Sequence, residues 1–311
     1  MRIGFIDSVH PILAERLLVA GHTVVDRDTV DTEGVSPLEG LVVRSTMIDA
    51  TVLAHAPRLR FIARAGAGME NIDREECVRR NILLFNSPEG NRDGVGEWCV
   101  AQLLMLIKGL VRVNTQVHSG TWLREQNRGH DLHGHTVGII GYGSMGRAFA
   151  EKLSGFGVKV LAYDKYISGF EAGHVREASL EQVMGHSDAI SLHLPLNIET
   201  QHFGDRAFFD GLKKPIWLLN SSRGPIVHTK ALLDALDRDQ VRGAALDVLE
   251  YELPDLSGLD TDRDTSTLKR LLNDDRVLLS PHIAGVTHEG KFKMANVLAD
   301  KILERFPNGK A

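Results

Sequence analysis

Val137-Gly-Ile-Ile-Gly141-Tyr-Gly143-Ser-Met-Gly146-Arg-Ala-Phe-Ala150 is the stretch on which the fold turns. An apolar run, a Gly-x-Gly-x-x-Gly turn and the opening of a helix pattern succeed one another. A bare glycine triplet says little, but strand and helix signals on either side make it the first βαβ unit of a doubly wound parallel sheet. Gly141 is expected to make the tight turn, Gly143 to let the backbone approach a pyrophosphate, and Gly146 to permit close helix–strand packing. The helix N-terminus behind them supplies N–H groups and partial positive charge for phosphates. A glycine-rich turn serving the fold alone is the plainer reading.

The second strand of the unit argues against that plainer reading. Its pattern, Val158-Lys-Val-Leu-Ala-Tyr-Asp164, ends in a carboxylate 23 residues beyond Gly141 (164 − 141). An acid there accepts hydrogen bonds from ribose hydroxyls and repels a 2′-phosphate, which favours NAD over NADP. Lys165 beside it works against that discrimination. Methyltransferases and flavin proteins share such a turn, so the motif fixes no chemistry by itself.

Strand and helix patterns alternate along the rest of the chain. Before the glycine turn, apolar strand segments fall at Arg2–Ile6, Val24–Val25, Gly40–Val43, Leu59–Ala63 and Ile82–Phe85, with a helix at Pro11–Ala20 stopping at Gly21. After it they fall at Ala189–Leu194, Ile216–Leu219, Gly243–Asp247 and Val277–Ser280. One long amphipathic helix is expected from Gly94 to Val117, some of its apolar surface available to a second subunit. Asp255–Thr267 reads as a surface loop, and a helix from Val286 onward is placed to return to the first layer. The resulting expectation is an α/β protein of two doubly wound parallel-sheet domains. The boundaries are 1–91 with 286–311, and 92–285.

At 311 residues the chain can build two cores, and 43% hydrophobic with 25% charged residues excludes disordered and fibrous classes. A net charge of −5 gives no general attraction to nucleic acid or to a membrane. The first strand gives way to Asp7 and Pro11, unlike a signal peptide, and the apolar stretch at 99–107 is far short of a bilayer span. Cys77 and Cys99 read as two reduced thiols, so a cytoplasmic protein is expected.

Ligands of an open parallel sheet bind beyond the carboxyl ends of its strands. Three such ends carry chemistry: Ile216-Trp-Leu-Leu-Asn-Ser-Ser-Arg223, Ala244-Ala-Leu-Asp247-Val-Leu-Glu-Tyr-Glu252 and Val277-Leu-Leu-Ser-Pro-His282. Singly, Arg223 and Glu252 read equally well as solvated loop charges and His282 as a helix cap. Together they suit oxidation of a 2-hydroxy acid. A guanidinium grips a carboxylate and the adjacent oxygen through paired hydrogen bonds, a histidine exchanges the hydroxyl proton, and a carboxylate steadies the imidazolium.

The sequence resembles the D-isomer-specific 2-hydroxyacid dehydrogenase family over nearly its whole length. The matching segments are Arg64-Ala-Gly-Ala-Gly-Met-Glu-Asn-Ile-Asp73, Gly138–Gly146, Ser191-Leu-His-Leu-Pro-Leu196, Asn220-Ser-Ser-Arg-Gly224, Ala245-Leu-Asp-Val248 and Pro281-His-Ile-Ala-Gly285. The resemblance implies a Rossmann NAD-binding domain inserted in a flavodoxin-like substrate domain, and Arg223, Glu252 and His282 as the catalytic trio. It implies Gly141, Gly143, Ser144, Met145 and Gly146 at the pyrophosphate and Asp164 at the ribose. His193, Leu194, Pro195, Ser221, Ser222, Asp247 and Gly285 are implied around the NAD cofactor. The family usually has Pro after its catalytic Glu; here Leu253 takes that place, which leaves Glu250 as a rival. The segment from Glu252 to His282 is longer than usual and reads as a surface insertion.

For the substrate end the resemblance implies Arg44, Ser45, Arg64, Ala67, Gly68, Asn91 and Arg124. Within the family, the 3-phosphoglycerate dehydrogenases are the most similar here. Arg44, Arg64 and Arg124 would then line a phosphate, although each alone is an ordinary surface charge. The expected reaction is the NAD-linked interconversion of 3-phosphoglycerate and 3-phosphohydroxypyruvate, feeding serine synthesis. A glyoxylate, hydroxypyruvate or other 2-keto acid reductase is the alternative. An NAD-sensing regulator, like the C-terminal-binding-protein corepressors that resemble this family, is the third reading. A homodimer is expected, with no nucleic acid or membrane partner. With the last helix close to residue 311, no C-terminal regulatory domain is expected. His130, His133 and His135 cluster, but without an acidic or Cys partner they imply no metal.

Overall fold

Short apolar runs buried on both faces are what a parallel sheet covered by helices requires, and the computed structural model, which describes residues 1–307, is built from two such sheets. The chain divides into two units, 1–92 with 286–307, and 93–285. The first boundary falls one residue beyond the expected one. The last four residues of the expected second segment, 308–311, lie outside the described residues.

In the smaller unit the strands are β1 (Arg2–Phe5), β2 (Thr23–Val25), β3 (Gly40–Val43), β4 (Phe61–Arg64) and β5 (Leu83–Asn86), all parallel, in the order β2-β1-β3-β4-β5. This is the flavodoxin-like order. Alternate residues serve opposite layers, as the two-residue period of a strand demands. Val42, Phe61 and Ala63 pack with Leu298, Ala299 and Ile302 of the helix His288–Arg305. Leu41, Val43 and Ile62 pack with Ile48, Leu53 and Ile72 on the other face.

The larger unit carries β6 (Thr136–Ile140), β7 (Lys159–Tyr163), β8 (Val175–Glu177), β9 (Ala189–Leu192), β10 (Ile216–Asn220), β11 (Val241–Leu246) and β12 (Val277–Leu279). Its order is β12-β11-β10-β9-β6-β7-β8, again parallel throughout. Counted from β6 this is the Rossmann order with one further strand, and the winding reverses between β6 and β9.

Three expectations are corrected. The single helix Gly94–Val117 is two, Pro88–Lys108 and Leu110–His118, bent by 62°. Gly109 sits between them at φ +62°, a left-handed conformation that glycine adopts at little cost and that ends the first helix. β8 has no counterpart in the sequence pattern, because two of its three residues are charged and exposed. The loop Asp255–Thr267 ends early, since Asp264 accepts a hydrogen bond from Thr267 N and caps a helix over Thr265–Leu272. No single helix among the described residues is long and apolar enough to cross a membrane.

One carboxylate fixes the loop after β3. Asp7 Oδ2 accepts hydrogen bonds from the backbone N–H groups of Arg44, Ser45 and Thr46 at 2.6, 2.9 and 2.9 Å, and Oδ1 accepts from the Thr46 hydroxyl at 2.7 Å. Partial burial by itself raises the carboxyl pKa. The donors of Thr46, Arg44 and Ser45 outweigh it, and the net shift is downward. A depressed folded-state pKa stabilises the fold above the unfolded pKa, and that stabilisation is lost as pH falls through the folded one. Asp7→Ala is therefore expected to cost roughly 1–3 kcal/mol near neutral pH from unpaired donors. The difference from wild type should narrow below about pH 4. Denaturant titrations at several pH values check this, and a pH-independent difference would contradict it.

Candidate active site

The glycine turn joins β6 to the helix Ser144–Lys152. Gly141 has φ +94°, and a Cβ on it would lie 2.4 Å from the carbonyl oxygen of His193. A Cβ on Gly146 would lie 2.2 Å from the Gly141 carbonyl oxygen, so the helix can pack this closely only on glycine. Nothing lies within 4 Å of a Cβ built on Gly143. The first helical residues, Ser144, Met145 and Gly146, have no intrahelical acceptor for their N–H groups.

Asp164 directly follows β7. Its carboxylate accepts hydrogen bonds from Tyr142 N at 2.7 Å, Tyr166 N at 2.9 Å and Ile167 N at 3.0 Å, tying the end of β7 to the glycine turn. Lys165, the cation expected to soften cofactor discrimination, pairs instead with Glu199. Beyond β9, His193 Nε2 meets the Ser191 hydroxyl at 2.9 Å, while its buried Nδ1 has no partner. Burial pulls the His193 pKa down to about 4, so the ring is neutral. Leu194 and Pro195 continue this loop, and the Leu194 side chain lies 3.4 Å from the same Gly141 Cβ position. A turn open above Gly143, a helix N-terminus and an orphaned buried imidazole nitrogen suit a dinucleotide.

Arg223, Glu252 and His282 all lie in the larger unit, on the loops after β10, β11 and β12. His282 Nδ1 is 3.1 Å from Glu252 Oε2, and Glu252 Oε1 accepts from Leu249 N at 3.0 Å. Nδ1 is thus engaged and Nε2 has no partner among the described residues. Both side chains remain reachable, at 29% and 19% exposure. Arg223 donates to the Ser222 carbonyl at 2.6 Å. Gly224 behind it allows a close approach that matters: a Cβ there would lie 2.0 Å from the carbonyl oxygen of Leu249, which brings the Arg223 loop against the Glu252 loop.

Glu250, the rival acid, points elsewhere. Its Oε1 meets His202 Nε2 at 2.7 Å and its Oε2 accepts from Thr229 N at 2.7 Å, with a side chain 7% exposed. Burial alone raises its pKa, but the Thr229 and His202 contacts outweigh that and hold it low. The insertion after Glu252 folds back on it, with Leu253 N bonded to Gly258 O and Asp260 N to Tyr251 O.

Residues not singled out in the sequence shape these loops. Buried Asn220, the last residue of β10, accepts from Ser222 N and from the Ser222 hydroxyl at 2.7 Å, and donates to Arg223 O at 3.0 Å. Ser221 meets Cys99 at 3.5 Å; burial pushes that thiol up to about 12. Asp247, placed near the cofactor by resemblance, spends its carboxylate on the His282 loop. Oδ1 accepts from Ile283 N at 2.9 Å and from the Ser280 hydroxyl, and Oδ2 from Ala284 N at 2.7 Å. Trp98 Nε1 donates to Ser280 at 3.1 Å from below. Gly285 ends the loop and the unit. A buried polar residue closing an apolar strand was the available signal for Asn220.

The substrate-end residues do not form one group within a unit. Arg44, Ser45, Arg64, Ala67, Gly68 and Asn91 are in the smaller unit, Arg124 in the larger. Arg64 Nε donates to Arg44 O at 3.0 Å, and the Arg64 guanidinium fills the space a Cβ on Gly66 would need. Asn86 Nδ2 holds the Ala67 carbonyl at 2.7 Å, fixing the loop that includes Gly68. Buried Asn91 Oδ1 has no partner. Arg124 stands exposed on the turn after Trp122. His130 and His135 pack on the Trp217 ring, at 5.4 and 5.9 Å.

The NAD-binding domain model of the D-isomer specific 2-hydroxyacid dehydrogenases matches residues 100–284. D-3-phosphoglycerate dehydrogenase of Rattus norvegicus is 32% identical over 305 residues, covering 96% of this chain and 55% of the relative. That of Archaeoglobus fulgidus is 33% identical over 272 residues, covering 86% and 50%. The D-lactate dehydrogenase of Aquifex aeolicus, crystallised with NAD and lactic acid, has a TM-score of 0.83 at 25% identity, over 99% of this chain and 95% of that one.

The chain belongs to the D-isomer specific 2-hydroxyacid dehydrogenase family. It spans about half the length of the curated relatives it matches. Its cofactor is NAD, which the family's NAD-binding domain takes.

His282 has φ +57°, a strained conformation for a residue with a Cβ, and Asp247 holds it there, its carbonyl accepting from His282 N at 2.7 Å. Asp247→Asn would turn an amide NH2 toward donors. We expect a loss of roughly 1–3 kcal/mol in stability, together with a fall in turnover. Denaturant midpoints and kcat measured side by side check this; a variant matching wild type in both would show that the carboxylate does not set the loop.

Proposed function

We propose that the protein interconverts a small anionic D-2-hydroxy acid and its 2-keto acid, with 3-phosphoglycerate and 3-phosphohydroxypyruvate as the preferred pair. The observation that carries this is the 3.1 Å contact of His282 Nδ1 with Glu252 Oε2, one strand end away from Arg223. With Nδ1 turned to Glu252, Nε2 is the atom that takes the substrate hydroxyl proton in oxidation and returns it in reduction. Glu252 steadies the imidazolium formed. Arg223 grips the substrate carboxylate and the reacting oxygen through paired N–H groups, polarising the carbonyl in the reductive direction. NAD, when bound, takes up the hydride from the α carbon, or NADH supplies it.

The phosphorylated substrate is supported by the D-3-phosphoglycerate dehydrogenase relatives at 32–33% identity and by Arg44, Arg64 and Arg124. In that role the protein would act in the cytoplasm in serine synthesis. A second reading, a short 2-hydroxy acid such as lactate, glyoxylate or hydroxypyruvate, is favoured by one fact. The Aquifex aeolicus D-lactate dehydrogenase matches over nearly the full length of both chains. We further propose a homodimer through the helix Leu110–His118, where Leu110, Val111 and Val117 are exposed.

His282→Ala is expected to reduce turnover by roughly two to four orders of magnitude. Glu252→Gln should change it in the same direction with a smaller loss. Glu250→Gln should act chiefly on stability. A larger catalytic loss for Glu250→Gln than for Glu252→Gln would reverse the assignment.

For the substrate, NADH oxidation with phosphohydroxypyruvate, hydroxypyruvate and glyoxylate gives the decisive comparison. Removing Arg44, Arg64 or Arg124 should raise KM for phosphohydroxypyruvate by about 1.5–3 kcal/mol per lost charged hydrogen bond, and leave glyoxylate nearly unaffected. Arg223→Ala should harm every substrate. Equal losses on glyoxylate and phosphohydroxypyruvate in the three arginine variants would favour the short-acid reading.

A further inference from the structure

In the sheet of the larger unit β6 lies between β9 and β7, and the three strands are parallel. The glycine turn is therefore flanked by the loop after β9 and the loop after β7. An ion pair joins those two loops. Lys165 Nζ, one residue beyond Asp164, donates to Glu199 Oε2, and the Tyr166 hydroxyl donates to the same oxygen at 3.1 Å. Each end of the pair stands on a closed turn. Asp164 Oδ1 accepts from Tyr166 N and Ile167 N, which fixes the backbone around Lys165. Asn197 Oδ1 accepts from Glu199 N at 2.9 Å and from Thr200 N at 3.1 Å, which fixes the backbone of Glu199. Forming the pair therefore orders side chains alone.

These charges bear on which coenzyme the turn accepts. A dinucleotide with its adenosine ribose at Asp164 directs the ribose 2′ position toward the end of β7. A 2′-phosphate would bring about −1.5 to −2 charge beside that carboxylate, and only a neighbouring cation could offset it. Two cations adjoin these segments in the chain, Arg147 after Gly146 and Lys165 after Asp164. Arg147 is committed to the glycine turn: its Nε donates to Tyr142 O at 3.0 Å, and its guanidinium lies over the Tyr142 ring, 4.8 Å from the centroid. Lys165 is committed to Glu199. Their contact raises the Lys165 pKa and lowers that of Glu199, so both stay ionised near neutral pH. An ammonium paired with a carboxylate offers little net attraction to a phosphate, and Glu199 adds a second negative charge to that of Asp164. Ion pairs exposed at both ends, as this one is, contribute little to stability. Its weight falls on ligand choice rather than on the fold.

We propose that Glu199 is a specificity-determining residue for the coenzyme: by engaging Lys165 in an ion pair it denies a 2′-phosphate its counter-ion, and so enforces NAD over NADP. The proposal rests on the placing of Asp164 at the ribose. NADH and NADPH differ only in the 2′-phosphate, and their own fluorescence reports binding to the whole chain without substrate or turnover. Glu199→Gln should lower the ratio of the NADPH to the NADH dissociation constant by about fivefold, and the gain should fade at high ionic strength. In a Lys165→Ala background the same substitution should gain much less, because no ammonium is released. NADH binding by each variant shows that it folds. A ratio unmoved by Glu199→Gln, or an equal gain with and without Lys165, would overturn the proposal. Asp164→Asn separates it from the reading beneath it, since loss of that charge should also lower the ratio. A ratio lowered by Asp164→Asn but not by Glu199→Gln would sink this proposal alone. A ratio unmoved by Asp164→Asn would sink the ribose reading and this proposal with it.

Discussion

The buried carboxylate of Asp247 is the constraint on which the catalytic end of the larger unit depends. At 1% exposure it is too far from water to be solvated, so protein donors must satisfy it. The donors it finds are Ile283 N, Ala284 N and the Ser280 hydroxyl, all on the segment that carries His282. That segment would not otherwise hold a histidine at φ +57°. The hydrogen bonds to Asp247 offset both the strain at His282 and the burial of the carboxylate, and they place an imidazole beside Glu252. Residues in sparsely populated backbone regions persist only where the surroundings over-determine them, and four hydrogen bonds to one aspartate, its carbonyl included, meet that condition.

The same logic divides the two acids beyond β11. Glu250 and Glu252 are two residues apart across a turn, and they face different surroundings. Glu250 is turned inward, where Thr229 N and His202 hold it ionised at the cost of any freedom to serve a reacting group. Glu252 keeps one oxygen on Leu249 N and gives the other to His282. Gly224 allows this arrangement, since any side chain there would collide with the Leu249 carbonyl and separate the loops.

Much of this was legible in the sequence because parallel sheets leave clear marks. Runs such as Gly40-Leu-Val-Val43 and Ile216-Trp-Leu-Leu219 must be apolar on both faces, and the glycine turn must be flanked by strand and helix. What escaped the sequence depended on single conformations or on distant partners. Gly109 is one glycine in a continuous helical pattern, and only its left-handed φ reveals the break. β8 is held by pairing with β7 rather than by its own composition. Asp7 and Asn220 stand at strand ends where polar residues are common, and what matters is which N–H groups lie beside them. The reach of Asp247 across to residues 280–284 spans more than thirty positions, which no local pattern encodes.

The two ends of the parallel strands differ in the side chains they gather. Beyond the carboxyl ends of β10, β11 and β12, Asn220, Asp247, Glu250 and Glu252 each have defined hydrogen-bond partners. At the amino ends of β11 and β12 stand Arg242 and Arg276, Arg276 paired with Asp274 and Asp237. Net charge cannot explain this, because the chain as a whole is acidic at −5. Arg242 and Arg276 are far apart in sequence, and the pairing of β11 with β12 brings them to one side. Arg242 is held over the Trp217 indole because β10 and β11 are neighbours with Trp217 in register with Gly243. The register that sets the trio at one end of these strands therefore also sets the arginines at the other.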